Sequence, residues 1–190
     1  MRDDRNFALG DLARQMANMI RVGVVQSVDT ATAGASVKIG ELVTDTLPWL
    51  TARAGSDRSW WAPSTGEQVV VLSPFGDFAQ GIILPALYQS AHAPPASQAN
   101  KALIIMKDGA QFEYDHNANR LKITLPAGAK TDLVSDGGIA FVGDLNVSGN
   151  ITASEDITDH TRSMQGDRDI YNDHKHTETG GTTLKTSQTM

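Results

Sequence analysis

Residues 139–162 divide into four successive hexads: Ile139-Ala-Phe-Val-Gly-Asp144, Leu145-Asn-Val-Ser-Gly-Asn150, Ile151-Thr-Ala-Ser-Glu-Asp156 and Ile157-Thr-Asp-His-Thr-Arg162. Each opens on an aliphatic residue, while the third position shrinks from Phe141 to Val147 to Ala153 and turns polar at Asp159. A fixed period of six reads as a strand of about four residues plus a corner, the repeat of a β-helix. One such layer buries too little apolar surface to stand alone, whereas stacked layers shared among copies of the chain bury a continuous core. The hexads therefore predict a β-helical shaft, intertwined among chains and narrowing toward the C-terminus. A lone chain is not expected to fold it.

Downstream lies Asp173-His174-Lys175-His176. On an extended strand, side chains at i and i+2 share a face, so His174 and His176 point the same way and Lys175 the other. Two imidazoles are too few for a metal site, since zinc takes about four ligands and octahedral ions about six. Three copies around a threefold axis would raise the donors to two rings of three, a set suited to an octahedral transition metal. The competing reading is a His-x-His surface loop. Asp167, Asp169 and Asp173 offer oxygen ligands to a second, hard cation, although a solvated acidic face explains them more simply.

Hexads also occur in the left-handed β-helices of acyltransferases, which need many more repeats and an active-site histidine, a role only His160 could fill here. The chain has no Gly-rich phosphate loop, Ser-His-Asp grouping, paired-carboxylate motif or His-Glu-x-x-His. The expectation is a non-enzyme.

Upstream, residues 21–90 carry short alternating runs broken by Gly, Asp and Pro. Val22–Val25 with Ser36–Ile39 predicts a hairpin, Leu42–Trp49 a third strand, Gln68–Leu72 a fourth and Gly81–Leu87 a fifth. Five short strands in about 70 residues suit a small barrel of the oligonucleotide/oligosaccharide-binding (OB) type. Trp49, Trp60 and Trp61 cluster with Arg53 and Arg58, so nucleic acid is one candidate ligand; packing or a protein interface is the other. Residues 1–20 place Leu9, Leu12, Ala13, Met16, Met19 and Ile20 at helical spacing behind Asp3 and Asp4, predicting an amphipathic helix. Its stripe is expected to pack on its own domain or on a copy of it. Residues 91–101, with Pro94-Pro95, read as a linker, and residues 102–162 as the β-helical shaft, which opens on an antiparallel meander over 102–124 able to wrap a threefold axis.

Charge is unevenly placed. Residues 131–190 hold ten acidic and four basic side chains (4 − 10 = −6), which is the whole net charge of −6. An acidic tail repels phosphate and anionic lipid, so charge-held nucleic acid or membrane adhesion is not expected. Cysteine is absent, which excludes disulfides and thiolate sites. No apolar run of about 18 residues is present, and residues 1–30 lack the succession of a signal peptide. Synthesis as a soluble protein in the cytoplasm is the expectation.

The stretch Trp49-Leu-Thr-Ala-Arg53-Ala-Gly-Ser-Asp-Arg58-Ser-Trp60-Trp61-Ala-Pro-Ser-Thr-Gly-Glu-Gln-Val69, with Leu84-Pro85 and Tyr88, closely resembles the phage baseplate assembly protein V family, the central spikes of contractile tails and related bacteriocin particles. His174-Lys175-His176 followed by Gly180-Gly181-Thr182-Thr183 fits that family's terminal motif. The resemblance implies an OB-fold barrel leading into an intertwined trimeric β-helix with a metal-closed apex at residues 163–190. It also implies one Fe(II) per trimer held by His174 and His176 on the axis. It further implies docking on tail hub and baseplate proteins, a place at the virion or bacteriocin tail tip, and mechanical piercing of the bacterial outer membrane, with no small-molecule substrate. The alternative is an OB-fold nucleic-acid or protein-binding module with a disordered acidic tail.

Overall fold

The computed structural model describes residues 2–182. The chain divides into two compact units, Met1–Lys130 and Thr131–Met190.

In the first unit, α1 (Arg2–Asn18) runs through Met19 into β1 (Ile20–Asp29), which pairs antiparallel with β2 (Gly34–Ile39). These two strands are the predicted hairpin. The single strand expected over Leu42–Trp49 is instead two short ones, β3 (Leu42–Val43) and β4 (Leu47–Pro48), both paired with β2. The break is at Thr44, whose buried hydroxyl accepts the Val37 N–H at 3.0 Å and donates to the Asp45 carbonyl at 2.8 Å. A side chain thus fills a rung that the ladder would otherwise supply. β5 (Gln68–Leu72) and β6 (Ile82–Leu87) extend the order to β3-β2-β1-β5-β6. A Trp49–Ile83 bridge, in which the Leu50 N–H donates to the Ile83 carbonyl at 2.8 Å, joins the end of β4 to β6 and closes the barrel.

Val25, Ala35, Val37, Ile39, Leu47, Trp49, Val69, Val71 and Ile83 form the barrel core. Alternate residues of each strand supply it, as a half-buried strand requires. β5 departs from simple alternation: Val70 and Leu72 on its outer side are aliphatic as well.

The helix is where expectation and structure differ most. Its half-buried side chains are Asp11, Gln15 and Asn18, whereas Leu9, Leu12 and Met16 are exposed. The polar edge faces the domain and the apolar stripe faces away. The contact is with the 3-10 turn Pro74–Gly76, where a Cβ on Gly76 would fall 2.4 Å from the Gln15 carbonyl oxygen, and where φ is +69°. Only glycine permits both the left-handed backbone and the close approach. Gly76→Ala is therefore expected to cost about 1–2 kcal/mol from backbone alone and more from the overlap. A lower melting temperature and faster tryptic cleavage after Arg14 would show it.

Three further strands, β7 (Lys101–Ile105), β8 (Gln111–Asp115) and β9 (Arg120–Thr124), form the predicted meander. Ala102, Tyr114 and Leu121 make one cross-strand row and Ile104, Phe112 and Ile123 the next, on the same face. The five large side chains of those rows are at least about 40% exposed. The opposite face holds the Lys101–Glu113 ion pair at 3.0 Å. At the β8–β9 turn, Asp115 accepts N–H bonds from Ala118 and Asn117 and the amide of Asn100. These donors, Ala118 first, with the Lys101 charge last, hold its carboxyl below the ordinary range. A depressed carboxyl stabilises the fold above its unfolded pKa, about 3.9, and the contribution is lost as pH falls through the lower folded value. Acidification below about pH 4 should therefore weaken this turn, and Asp115→Ala should flatten that part of a stability-against-pH profile measured by thermal unfolding.

In the second unit, residues 131–157 contain no strand within the single chain. The expected β-helix is thus not formed by one copy. Ile139, Leu145, Ile151 and Ile157, the first positions of the four hexads, are all 45% or more exposed. Gly143 and Gly149, each the fifth residue of its hexad, have φ of +118° and +159°. A positive φ thus falls at the same position of the first two hexads. After residue 162 comes α2 (Met164–Asp173), then a hairpin of β10 (Thr177–Glu178) and β11 (Gly181–Thr182). Thr183 and the rest of the expected apex to residue 190 lie outside the described residues.

Candidate metal centre and aromatic groove

The helix preceding the histidines was not expected from the sequence. Its signal is a cap: the Ser163 hydroxyl accepts the Gly166 N–H at 3.0 Å, and Asp167 in the first turn favours the positive end of the helix dipole. Asp156 supports the same entry, accepting a hydrogen bond from Ser163, which with the Gln165 and Ile157 N–H groups lowers its pKa. Gly166 in the first turn and only Met164, Ile170 and Tyr171 as large apolar residues hide this helix from periodicity.

The helix ends at Asp173, and His174 is extended, with φ −65° and ψ 145°. The chain then leads through Lys175 and His176 into β10. The His174 and His176 rings lie together, centroids 5.2 Å apart and nearly perpendicular. His174 also packs on Tyr171, and its Nδ1 contacts the Tyr171 carbonyl oxygen. A carbonyl only accepts, so a hydrogen bond here has Nδ1 as its donor, the arrangement in which Nε2 of a neutral ring is the nitrogen available to a ligand. Such a back-bond to a carbonyl is how metal-ligating imidazoles are commonly oriented.

One chain offers two nitrogens here, and among the described residues no three His, Cys, Asp or Glu side chains gather as a metal site. Asp167 pairs with Arg162 at 3.2 Å and Asp169 accepts from Gln165 at 2.8 Å, both on the helix surface. The structure therefore brings His174 and His176 together and does not bring Asp167 and Asp169 to them as a ligand set. The pair fits a transition metal if further copies complete it.

The barrel carries the other feature, a groove of about 800 Å³ lined by Leu50, Trp60, Trp61, Pro85, Tyr88 and Ile105 among others. Trp60 packs edge-to-face on buried Trp49 with centroids 5.5 Å apart, while Trp61 and Tyr88 are more than half exposed. The loop carrying the tryptophans is pinned by Ser59, whose Oγ shares a 2.7 Å hydrogen bond with Thr51 and accepts the Arg53 N–H at 3.0 Å. Arg53 and Arg58 do not line the groove, and Glu67 is the carboxylate that does. Aromatics without cations lack the backbone-tracking charge of a single-strand site. Fluorescence anisotropy with single-stranded DNA at about 50 mM salt should accordingly show no affinity tighter than micromolar.

A small barrel with strand order β3-β2-β1-β5-β6, closed by the Trp49–Ile83 bridge, is of the OB type that the sequence predicts. Residues 21–88 match the type VI secretion system/phage-baseplate injector OB domain. A protein named "Spike protein" from Escherichia phage P2 is 38% identical over 128 residues, covering 67% of this chain. The chain belongs to the phage baseplate assembly protein V family. It spans 59% of the length of that phage P2 relative.

Proposed function

We propose that the chain is a structural, non-enzymatic component of a contractile particle, a homotrimeric spike at the virion or bacteriocin tail tip. Its barrel docks on tail hub and baseplate proteins, its shaft is a β-helix wound from three chains, and its apex is closed by a metal on His174 and His176. Tail contraction drives this rod into the bacterial outer membrane. A shaft whose strands pair across three chains leaves few free edges and resists buckling.

The observation that carries this reading is the second unit's repeat. Aliphatic residues at every sixth position from Ile139 to Ile157 stand exposed on a single chain, and Gly143 and Gly149 turn the backbone at the fifth position of the first two hexads. The apolar face of the β7-β8-β9 meander repeats the pattern on the first unit. Monomeric proteins do not maintain such surfaces without a partner, and the kinship with a phage spike supplies the context. Sedimentation at micromolar concentration should give three times 20.3 kDa, about 61 kDa. Particles assembled with a chain truncated after Lys130 should contract yet fail to release dye through an outer membrane. Retained permeabilisation would remove the piercing role, and a folded monomer would remove the trimer.

A further inference from the structure

The outer face of the barrel bears an apolar surface that the fold does not use. Following the register across β1, β5 and β6, its rows are Ile20-Leu72-Ile82, Val22-Val70-Leu84 and Val24-Gln68-Leu87. Eight of these nine residues are aliphatic and none is charged. Ile20 is 66% exposed and Val22 51%. At the β2 side the patch ends at Lys38, opposite Val24.

The same chain carries a second unused apolar surface, the α1 stripe of Leu9, Leu12, Ala13 and Met16. The two cannot meet within one copy. Gln15 is clamped against Gly76 by the helix's polar edge, and Met19 alone links α1 to β1. The stripe is thus held facing away from its own domain.

We infer that the α1 stripe of one copy seats on the β1-β5-β6 outer face of the next, in a head-to-tail interface that three copies close into a ring. The inference rests on the trimeric reading for its closure. Dimensions match: Leu9 to Met16 spans about 10 Å at 1.5 Å per residue, and the patch measures about 13 Å along the strands by about 10 Å across them. Each partly exposed aliphatic side chain adds several tens of Å², so the eleven large ones give one such contact several hundred Å² in total, below the roughly 1,200 Å² at which stable pairwise interfaces begin, and it is the closing of three contacts into a ring that makes the set sufficient. A heterologous contact uses each stripe once and each face once, and ring closure leaves neither open. An outside protein would need both shapes at once to cover them equally.

The chain has no cysteine, so single thiols report cleanly. Met16→Cys, Val22→Cys and an exposed control, Ser56→Cys, are introduced separately into the full chain, together with the double variant Met16→Cys/Val22→Cys. The expected result is maleimide labelling at least about tenfold slower at positions 16 and 22 than at 56, because reaction must await local opening. Mild oxidation should give interchain dimers and trimers on a denaturing gel from the double variant alone. A trimer by sedimentation whose thiols at 16 and 22 label as fast as the control overturns this interface while leaving the trimeric reading intact. Equal cross-linking by Met16→Cys alone overturns it in favour of helices meeting on the axis. Intrachain linkage only, or protection that appears only when baseplate proteins are added, overturns it as well. A monomer removes the trimeric reading and this interface together.

Discussion

Full-length protein purified from cells is expected to carry about one transition-metal ion per three chains by elemental analysis, and His174→Ala or His176→Ala to carry none. Each chain holds two imidazoles 5.2 Å apart just after a helix end. The Tyr171 carbonyl lies against Nδ1 of His174, which leaves Nε2 as the nitrogen placed for a ligand. Three chains raise two donors to six, which suits an octahedral ion rather than tetrahedral zinc. Iron is the expectation from the family resemblance. The general affinity order favours copper and nickel over Fe(II), so availability and geometry decide occupancy. Binding requires unprotonated imidazole, and acid should therefore release the ion. The alanine variants should remain trimeric, because in the proposed spike the metal would staple only the three chain ends while the shaft would hold the chains together. An intact protein without metal, or a double alanine variant that retains it, would make the histidines a surface pair and leave the apex to packing.

The barrel was legible because its rule is local. Alternation and turn residues mark β1, β2, β5 and β6, and each strand finds its partner within about 60 residues of the same chain. The third strand was misjudged because Thr44 competes with the ladder through its side chain, which no hydropathy pattern registers. The helix spacing was readable, but its orientation was not. The stripe suggests which face is apolar, whereas Gly76 and the one-residue link at Met19 decide which face turns inward. α2 escaped notice because a capped, largely polar helix has little period to detect. The candidate metal centre was legible as a residue pair, since His-x-His spacing is visible in any conformation that is locally extended. The proposed completion by other copies, like the proposed shaft, has no local pattern in one chain that could display it.

That dependence makes the hexads the most sensitive place to test the assembly. Ile151→Asp is expected to abolish the trimer at micromolar concentration, whereas Asn150→Asp, one residue away at a hexad corner, is expected to leave it intact. In a single copy Ile151 is 66% exposed, so neither carboxylate costs the isolated chain anything through burial. The difference arises only on association. Burying an isoleucine contributes about 1.5–3 kcal/mol, and three copies around one axis lose this three times over. The substitution also brings three carboxylates into one apolar layer, where an unpaired buried charge costs several kcal/mol or forces protonation. Together these are of the same order as the about 5–15 kcal/mol by which an ordinary domain is favoured over its unfolded chain. If the three acids instead take up protons, the trimer should return as the pH is lowered toward the carboxylate range, a recovery that Asn150→Asp has no reason to show. Sedimentation of both variants at neutral and acid pH reads this directly. An Ile151→Asp chain that stays trimeric at neutral pH would place that first position outside the shared core, and the hexads would then be corners of a surface loop rather than layers of a shaft.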